Sequence, residues 1–117
     1  MKSKPSFSNI SASSLLKQFG SPLYVYEEDI IRQRFQELKA AFSGWEKTQL
    51  LYAMKANSNL HILRILKEEG AWLDCVSMYE VELAFLAGYG SQQILFTVNN
   101  MSDEEMHFAY NKKILLN

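Results

Sequence analysis

Gln49-Leu50-Leu51-Tyr52-Ala53-Met54-Lys55-Ala56-Asn57-Ser58-Asn59 is the stretch on which the fold turns. From Gln49 to Met54 it is an apolar run without polar alternation, the pattern of a parallel strand buried on both faces. Asn59 can then cap a helix carrying Leu60, Leu63 and Leu66, which Gly70 stops. The same strand-then-helix unit recurs downstream. Trp72 to Val76 reads as a strand, and Ser77-Met78-Tyr79-Glu80 fits a capping box opening a helix with Val81, Ala84 and Phe85 before Gly88. Ile94 to Val98 is a third strand. Ser102-Asp103-Glu104-Glu105 opens a helix with Met106 and Tyr110, and Ile114-Leu115-Leu116 begins a fourth strand. Strands thus recur about every 20–22 residues with one helix between them, as parallel β/α folds require.

Two architectures repeat this way, the doubly wound sheet and the (β/α)8 barrel. No G-x-G-x-x-G or G-x-x-x-x-G-K-[ST] follows any strand, so the phosphate-loop signal of a nucleotide-binding sheet is missing. A barrel needs about 250 residues, and this chain has 117. The expectation is therefore an α/β chain of three to four β/α units, less than half of a barrel, as a fragment or a truncated product. Upstream, Leu15, Leu16 and Phe19 follow a serine cluster and precede Gly20, a short amphipathic helix. Pro22 pushes Ser21 to extended geometry, and Leu23-Tyr24-Val25-Tyr26 reads as a short strand. A longer helix carries Ile30, Ile31, Phe35, Leu38 and Phe42, with Glu27, Glu28 and Asp29 in its electropositive first turn and Gly44 at its end.

Hydrophobic residues make up 48% and charged residues 21% of the chain, which excludes a disordered tail. A net charge of -1 leaves no basic excess to draw it to nucleic acid or an anionic membrane. Residues 1–9 lack the apolar stretch of a signal peptide, and no apolar run approaches the roughly 20 residues of a membrane span. A single cysteine, Cys75, gives neither an internal disulfide nor a metal cluster and reads as a small core residue. His61 and His107 fall on outer helices and read as surface residues. The chain is of cytoplasmic type.

Lys55 is the residue with chemistry to offer. It ends a buried strand, and in barrels that end is where active sites sit. A partly desolvated lysine has its pKa lowered, leaving more neutral amine for a Schiff base. Its position alone also fits a lysine that snorkels into solvent.

Four collinear segments carry a resemblance. Tyr52-Ala53-Met54-Lys55-Ala56-Asn57-Ser58-Asn59 resembles the cofactor-lysine segment of the alanine-racemase-fold decarboxylases that use pyridoxal phosphate. Phe19-Gly20-Ser21-Pro22-Leu23-Tyr24-Val25-Tyr26 is similar to their F-G-T-P-L-Y-V-Y opening. Leu73-Asp74-Cys75-Val76-Ser77-Met78-Tyr79-Glu80 resembles F-D-V-V-S-G-G-E on the second strand. Ile94-Leu95-Phe96-Thr97-Val98-Asn99-Asn100-Met101-Ser102 resembles I-V-F-T-G-N-N-K-S on the third. The diaminopimelate branch matches best; the ornithine, arginine and carboxynorspermidine branches share a weaker version.

The resemblance implies that Lys55 holds pyridoxal 5'-phosphate, that Asp74 lies beside the cofactor, and that Glu80 stands on the following helix. Glu80 has an equal structural use as the return partner of the capping box. Asp74, a carboxylate in an apolar strand, needs a partner such as Lys55 or the cofactor. Residues 27–117 would form the first half of the cofactor-binding barrel. Residues 1–26 would carry a strand that pairs with a β domain outside this chain. The whole protein would be an amino-acid decarboxylase, turning meso-diaminopimelate into L-lysine and acting as a homodimer. The rivals are a polyamine-branch decarboxylase and a truncated, non-catalytic binding module. Met78-Tyr79 departs from the branch's Gly-Gly. The family's stacking histidine, glycine-rich phosphate loop and acid for the pyridine nitrogen would all lie beyond Asn117.

Overall fold

The computed structural model describes residues 6–7 and 10–117. The expected absence of an apolar leader concerns residues 1–9, most of which lie outside the described residues. β1 (Ser6–Phe7) and β2 (Ile10–Ser11) form an antiparallel pair that no turn signal in the sequence announces. Ser11 then caps α1 (Ala12–Phe19) by accepting the Ser14 N–H at 3.2 Å, and Gly20 ends it. The Ser21–Pro22 peptide is cis. Leu23 to Tyr26, expected as a strand, takes no regular secondary structure and has no ladder partner among the described residues.

The second helix, α2 (Glu28–Ala41), places Glu28 and Asp29 in its first turn, where the helix dipole favours negative charge. After it comes a four-stranded parallel sheet of β3 (Leu51–Ala53), β4 (Trp72–Cys75), β5 (Ile94–Phe96) and β6 (Leu115–Leu116), neighbouring one another in chain order. The crossovers are α3 (Leu60–Glu68), α4 (Met78–Leu86) and α5 (Asp103–Lys112). Each begins at the cap residue expected for it. Asn59 Oδ1 accepts the His61 N–H at 2.9 Å, and Ser102 and Glu105 exchange the two bonds of a full capping box. At the end of α3 and of α4 the chain must reverse toward the next strand, and Gly70 (φ +90) and Gly88 (φ +93) supply the left-handed residue.

Strand alternation divides the sheet into two unlike faces. Leu73, Cys75, Ile94 and Phe96 point to the helix side, where they are fully buried with Leu63 of α3, Val81 and Ala84 of α4 and Ala109 of α5. Trp72, Asp74 and Leu95 point the other way and are half-buried. The expectation of strands buried on both faces is thus met on one face only; Leu51, at the start of β3, is exposed. Burial here comes from helices, and the crossover helices α3, α4 and α5 pack on one side.

Helix α3 is packed on two flanks. Leu63 enters the main core, while Ile62 and Leu66 meet Ala71 and Ile31 and Phe35 of α2 in a second cluster. Arg32 reinforces that contact: its Nη1 bonds Glu69 at 2.7 Å, and its Nη2 bonds Glu28 and Glu68 at 2.6 Å each. Glu68 and Glu69 sit at the C-terminus of α3, where the dipole opposes negative charge, and Arg32 offsets it. The Arg32 guanidinium, helped by the Gln36 amide, holds the Glu69 carboxyl below its ordinary pKa. Tyr89 ties the next unit to α3 by donating its buried hydroxyl to the Leu63 carbonyl at 2.9 Å.

Leu63 has no exposed surface and sits where α3, α4 and the sheet meet. Leu63→Ala is therefore expected to destabilise the protein by about 2–5 kcal/mol, the range for a buried leucine that leaves a cavity. Denaturant unfolding measures it, and a loss under about 1 kcal/mol would show that this junction collapses around the smaller side chain.

Candidate functional site

Parallel pairing brings the C-terminal ends of the strands to one edge of the sheet. Ala53, Asp74 and Leu95 are in register across β3, β4 and β5. Beyond Ala53 the chain makes a single 3-10 turn, Met54–Ala56, before Asn57 to Asn59 lead into α3. Met54 anchors the turn in the core, with its sulfur 3.3 Å from Cys75 Sγ. Lys55, in the middle of the turn, is exposed and makes no ion pair among the described residues. The desolvation expected of this lysine is therefore not supplied by the described residues.

Asp74 lies one strand away, on the face without helices. Among the described residues its Oδ1 is buried without a hydrogen-bond partner, and Asp74 and Lys55 form no ion pair. Thr97, immediately after β5, repeats the pattern: its backbone N–H continues the ladder to the Cys75 carbonyl at 2.8 Å, while its Oγ1 is buried without a partner. Strand alternation puts Thr97 on the same face as Asp74 and Leu95. Thr97 was not singled out from the sequence. The signal was there, a lone hydroxyl between Phe96 and Val98 at a strand's C-terminal end.

Glu80 does a different job from the one a strict capping box assigns. Ser77 Oγ accepts the Glu80 N–H at 3.2 Å, but the Glu80 carboxylate reaches past Ser77 to accept the Val76 N–H at 2.7 Å. It thereby holds the outgoing end of β4, one residue beyond the strand. Met78 packs against the core and Tyr79 is exposed, so the departure from Gly-Gly is accommodated in the first turn of α4. Cys75 is fully buried; burial, with the nearby Glu80 and Asp74 carboxylates, pushes its thiol up to about 12. His61 and His107 are exposed on α3 and α5. Among the described residues, no three His, Cys, Asp or Glu side chains come together to hold a metal, and no helix is long and apolar enough to cross a membrane.

Comparison with known proteins gives this edge a context. The pyridoxal-binding domain of pyridoxal-dependent decarboxylases matches residues 28–116. Diaminopimelate decarboxylase of Methanothermobacter thermautotrophicus is 43% identical over 107 residues, covering 91% of this chain and 25% of that protein. The Bacillus subtilis diaminopimelate decarboxylase is 40% identical over 106 residues, covering 90% and 24%. Among solved structures, diaminopimelate decarboxylase from M. jannaschii in complex with L-lysine superposes with a TM-score of 0.84 at 34% identity, over 92% of this chain and 26% of that one. The lysine/ornithine decarboxylase of Vibrio vulnificus with putrescine gives 0.79 at 29%, over 87% and 27%. The chain spans about a quarter of the length of the relatives it matches. The residues at the sheet edge fit a pyridoxal group: an exposed primary amine, with two buried oxygens, on β4 and just after β5, that no group among the described residues satisfies.

A thiol raised to about 12 stays protonated, and so a poor nucleophile, throughout the neutral range. Folded protein is expected to leave Cys75 unalkylated by iodoacetamide at pH 8, with modification appearing only on unfolding. Peptide mapping checks this, and alkylation of the native state would show that the strand opens.

Proposed function

The chain belongs to the pyridoxal-dependent decarboxylases, as part of their pyridoxal-binding domain, and from that premise we propose that the whole protein removes the α-carboxylate of an amino acid. The substrate we assign is meso-diaminopimelate and the product L-lysine, the final step of lysine synthesis. The observation that carries the site assignment is the exposed amine of Lys55 at the C-terminal sheet edge, beside the unsatisfied oxygens of Asp74 and Thr97. Lys55 would bind pyridoxal phosphate covalently through Nζ. The Asp74 carboxylate and Thr97 hydroxyl would offer it polar partners on the helix-free face. Glu80 would keep the end of β4 in place through the Val76 N–H. When bound, the cofactor supplies an electron sink for the pair left as the carboxylate departs as carbon dioxide.

The same reading makes residues 27–117 the first half of the cofactor-binding barrel. It makes residues 1–26 a segment whose extended stretch, Leu23 to Tyr26, pairs with a β domain outside this chain. It carries a cytoplasmic homodimer with a small amino-acid substrate. The likeness to a lysine/ornithine decarboxylase supports a second reading, in which the substrate is a basic amino acid of polyamine synthesis.

Borohydride reduction of the cofactor-loaded full-length protein is expected to fix pyridoxal on Lys55, and carbon dioxide release is expected to be faster from meso-diaminopimelate than from ornithine or arginine. Label on Lys39, Lys47 or Lys67 would overturn the site. Equal or better turnover of ornithine would move the protein to the second reading, with Met78-Tyr79 the first place to seek the cause.

Residues 1–117 alone are expected to release no carbon dioxide even with cofactor in excess. Among the described residues β3 and β6 each keep one unpaired edge, and α3, α4 and α5 pack on the face opposite Asp74. A cofactor held along one sheet edge only is neither fully oriented nor screened from water. Turnover by this polypeptide, lost on Lys55→Ala, would show that these residues assemble a working site by themselves.

A further inference from the structure

Asn57 follows Lys55 by two positions, and the structure uses its side-chain amide at both ends and its backbone carbonyl as well. Its Nδ2 donates to Tyr26 Oη at 2.9 Å. Its Oδ1 accepts the Asn59 N–H at 3.0 Å, and its backbone oxygen accepts the Tyr52 hydroxyl at 3.1 Å. Three separate parts of the chain meet there: the segment before α2, the strand β3 and the cap of α3. On the other side of Lys55, Met54 is locked in the core against Cys75. The turn that presents Lys55 is thus pinned at both flanks, while the side chain itself is exposed.

We propose that Asn57, latched by Tyr26 and Tyr52, is a positioning residue that fixes the Lys55 turn for reaction with the cofactor aldehyde. This rests on the reading of Lys55 as the cofactor lysine. A lysine side chain has four rotatable carbons, so the amine can be aimed only if the backbone from which it hangs is fixed. Loss of orientation at a reacting centre is costly even when the contact removed is remote from the chemistry. The Tyr52 hydroxyl is held above its ordinary pKa by burial, with Tyr26 pushing the same way. It therefore remains a donor to Asn57 across the neutral range. Tyr26 is half-exposed and lies ahead of the barrel repeat, so the latch also links the N-terminal segment to the site edge.

The test uses full-length protein stripped of cofactor, in wild-type form and as Tyr26→Phe, Asn57→Ala and Asn57→Asp. Pyridoxal phosphate is added, trapped with borohydride at timed intervals, and mapped by peptide; hydrogen exchange of the amides at 54–57 is followed without cofactor. Tyr26→Phe removes one exposed hydroxyl and leaves the core intact, so folding does not obscure its result. Tyr26→Phe is expected to slow labelling of Lys55 about fivefold, the effect of one lost hydrogen bond; Asn57→Ala, which loses the bonds to both Tyr26 and Asn59, is expected to slow it by more, and both should speed exchange at 54–57. Labelling of Lys39, Lys47 and Lys67 should not change. Asn57→Asp, which keeps the acceptor for Asn59 and can accept from Tyr26, should recover the wild-type rate. Unchanged Lys55 labelling in both Tyr26→Phe and Asn57→Ala would overturn the latch while leaving the cofactor assignment intact. Wild-type label falling on another lysine would overturn the assignment and the latch with it.

Discussion

Parallel pairing is the constraint from which the rest of this structure follows. Two parallel strands cannot be joined by a hairpin; each must be followed by a crossover, here a helix, before the next begins. Every strand therefore leaves the sheet at the same edge, and residues far apart in sequence become neighbours there. Lys55, Asp74 and Thr97 come from three successive units and stand at one edge because β3, β4 and β5 run the same way in adjacent positions. No long-range signal between these residues is needed, only the repeat of strand and helix.

The helices settle which half of each strand's side chains is available for chemistry. The crossover helices α3, α4 and α5 cover one face, and that face takes the fully buried residues Leu73, Cys75, Ile94 and Phe96. The alternating positions are left to the other face. On it, two oxygens are buried and unpaired, each costing about 1–3 kcal/mol against a satisfied group. An apolar residue at Asp74 or Thr97 would avoid that cost. Its presence twice at one sheet edge, next to an exposed amine, is the physical ground for treating the edge as a site rather than as the worn end of a core.

Much of the fold was legible because the caps are local. Asn59, Ser77 and Ser102 each announce a helix start through one side chain and one nearby N–H, and the glycines announce the reversals. What depended on distant partners was not. The segment at Leu23 to Tyr26 has strand composition, yet a strand exists only when another pairs with it. The β1–β2 pair is too short to leave a pattern. Glu80 was legible as a cap partner but not in its contact, since the choice between the Ser77 and Val76 amides depends on how the strand exits. Lys55 is a candidate by position and by family resemblance; its exposure was not legible, because burial belongs to the layers around a strand and not to the strand's own sequence.

That exposure defines how the proposed site divides between this part of the protein and the remainder. A lysine that is to react as a free amine benefits from a drier surrounding than the one it has here, and these residues furnish no second wall over the face it adjoins. They furnish the foundation instead. Arg32 fastens α2 to the end of α3, Tyr89 fastens the next unit to α3, and the Tyr26–Asn57–Tyr52 contacts fasten the start of α3 to the turn bearing Lys55. These ties converge on the helix that follows the lysine, which is where stiffness has the shortest path to the reacting group. Dielectric screening can be added by any layer that covers the face, but a backbone position cannot be corrected from outside once the turn is loose. On the proposed reading these units supply the placement of the amine, and its environment is set by whatever covers the face.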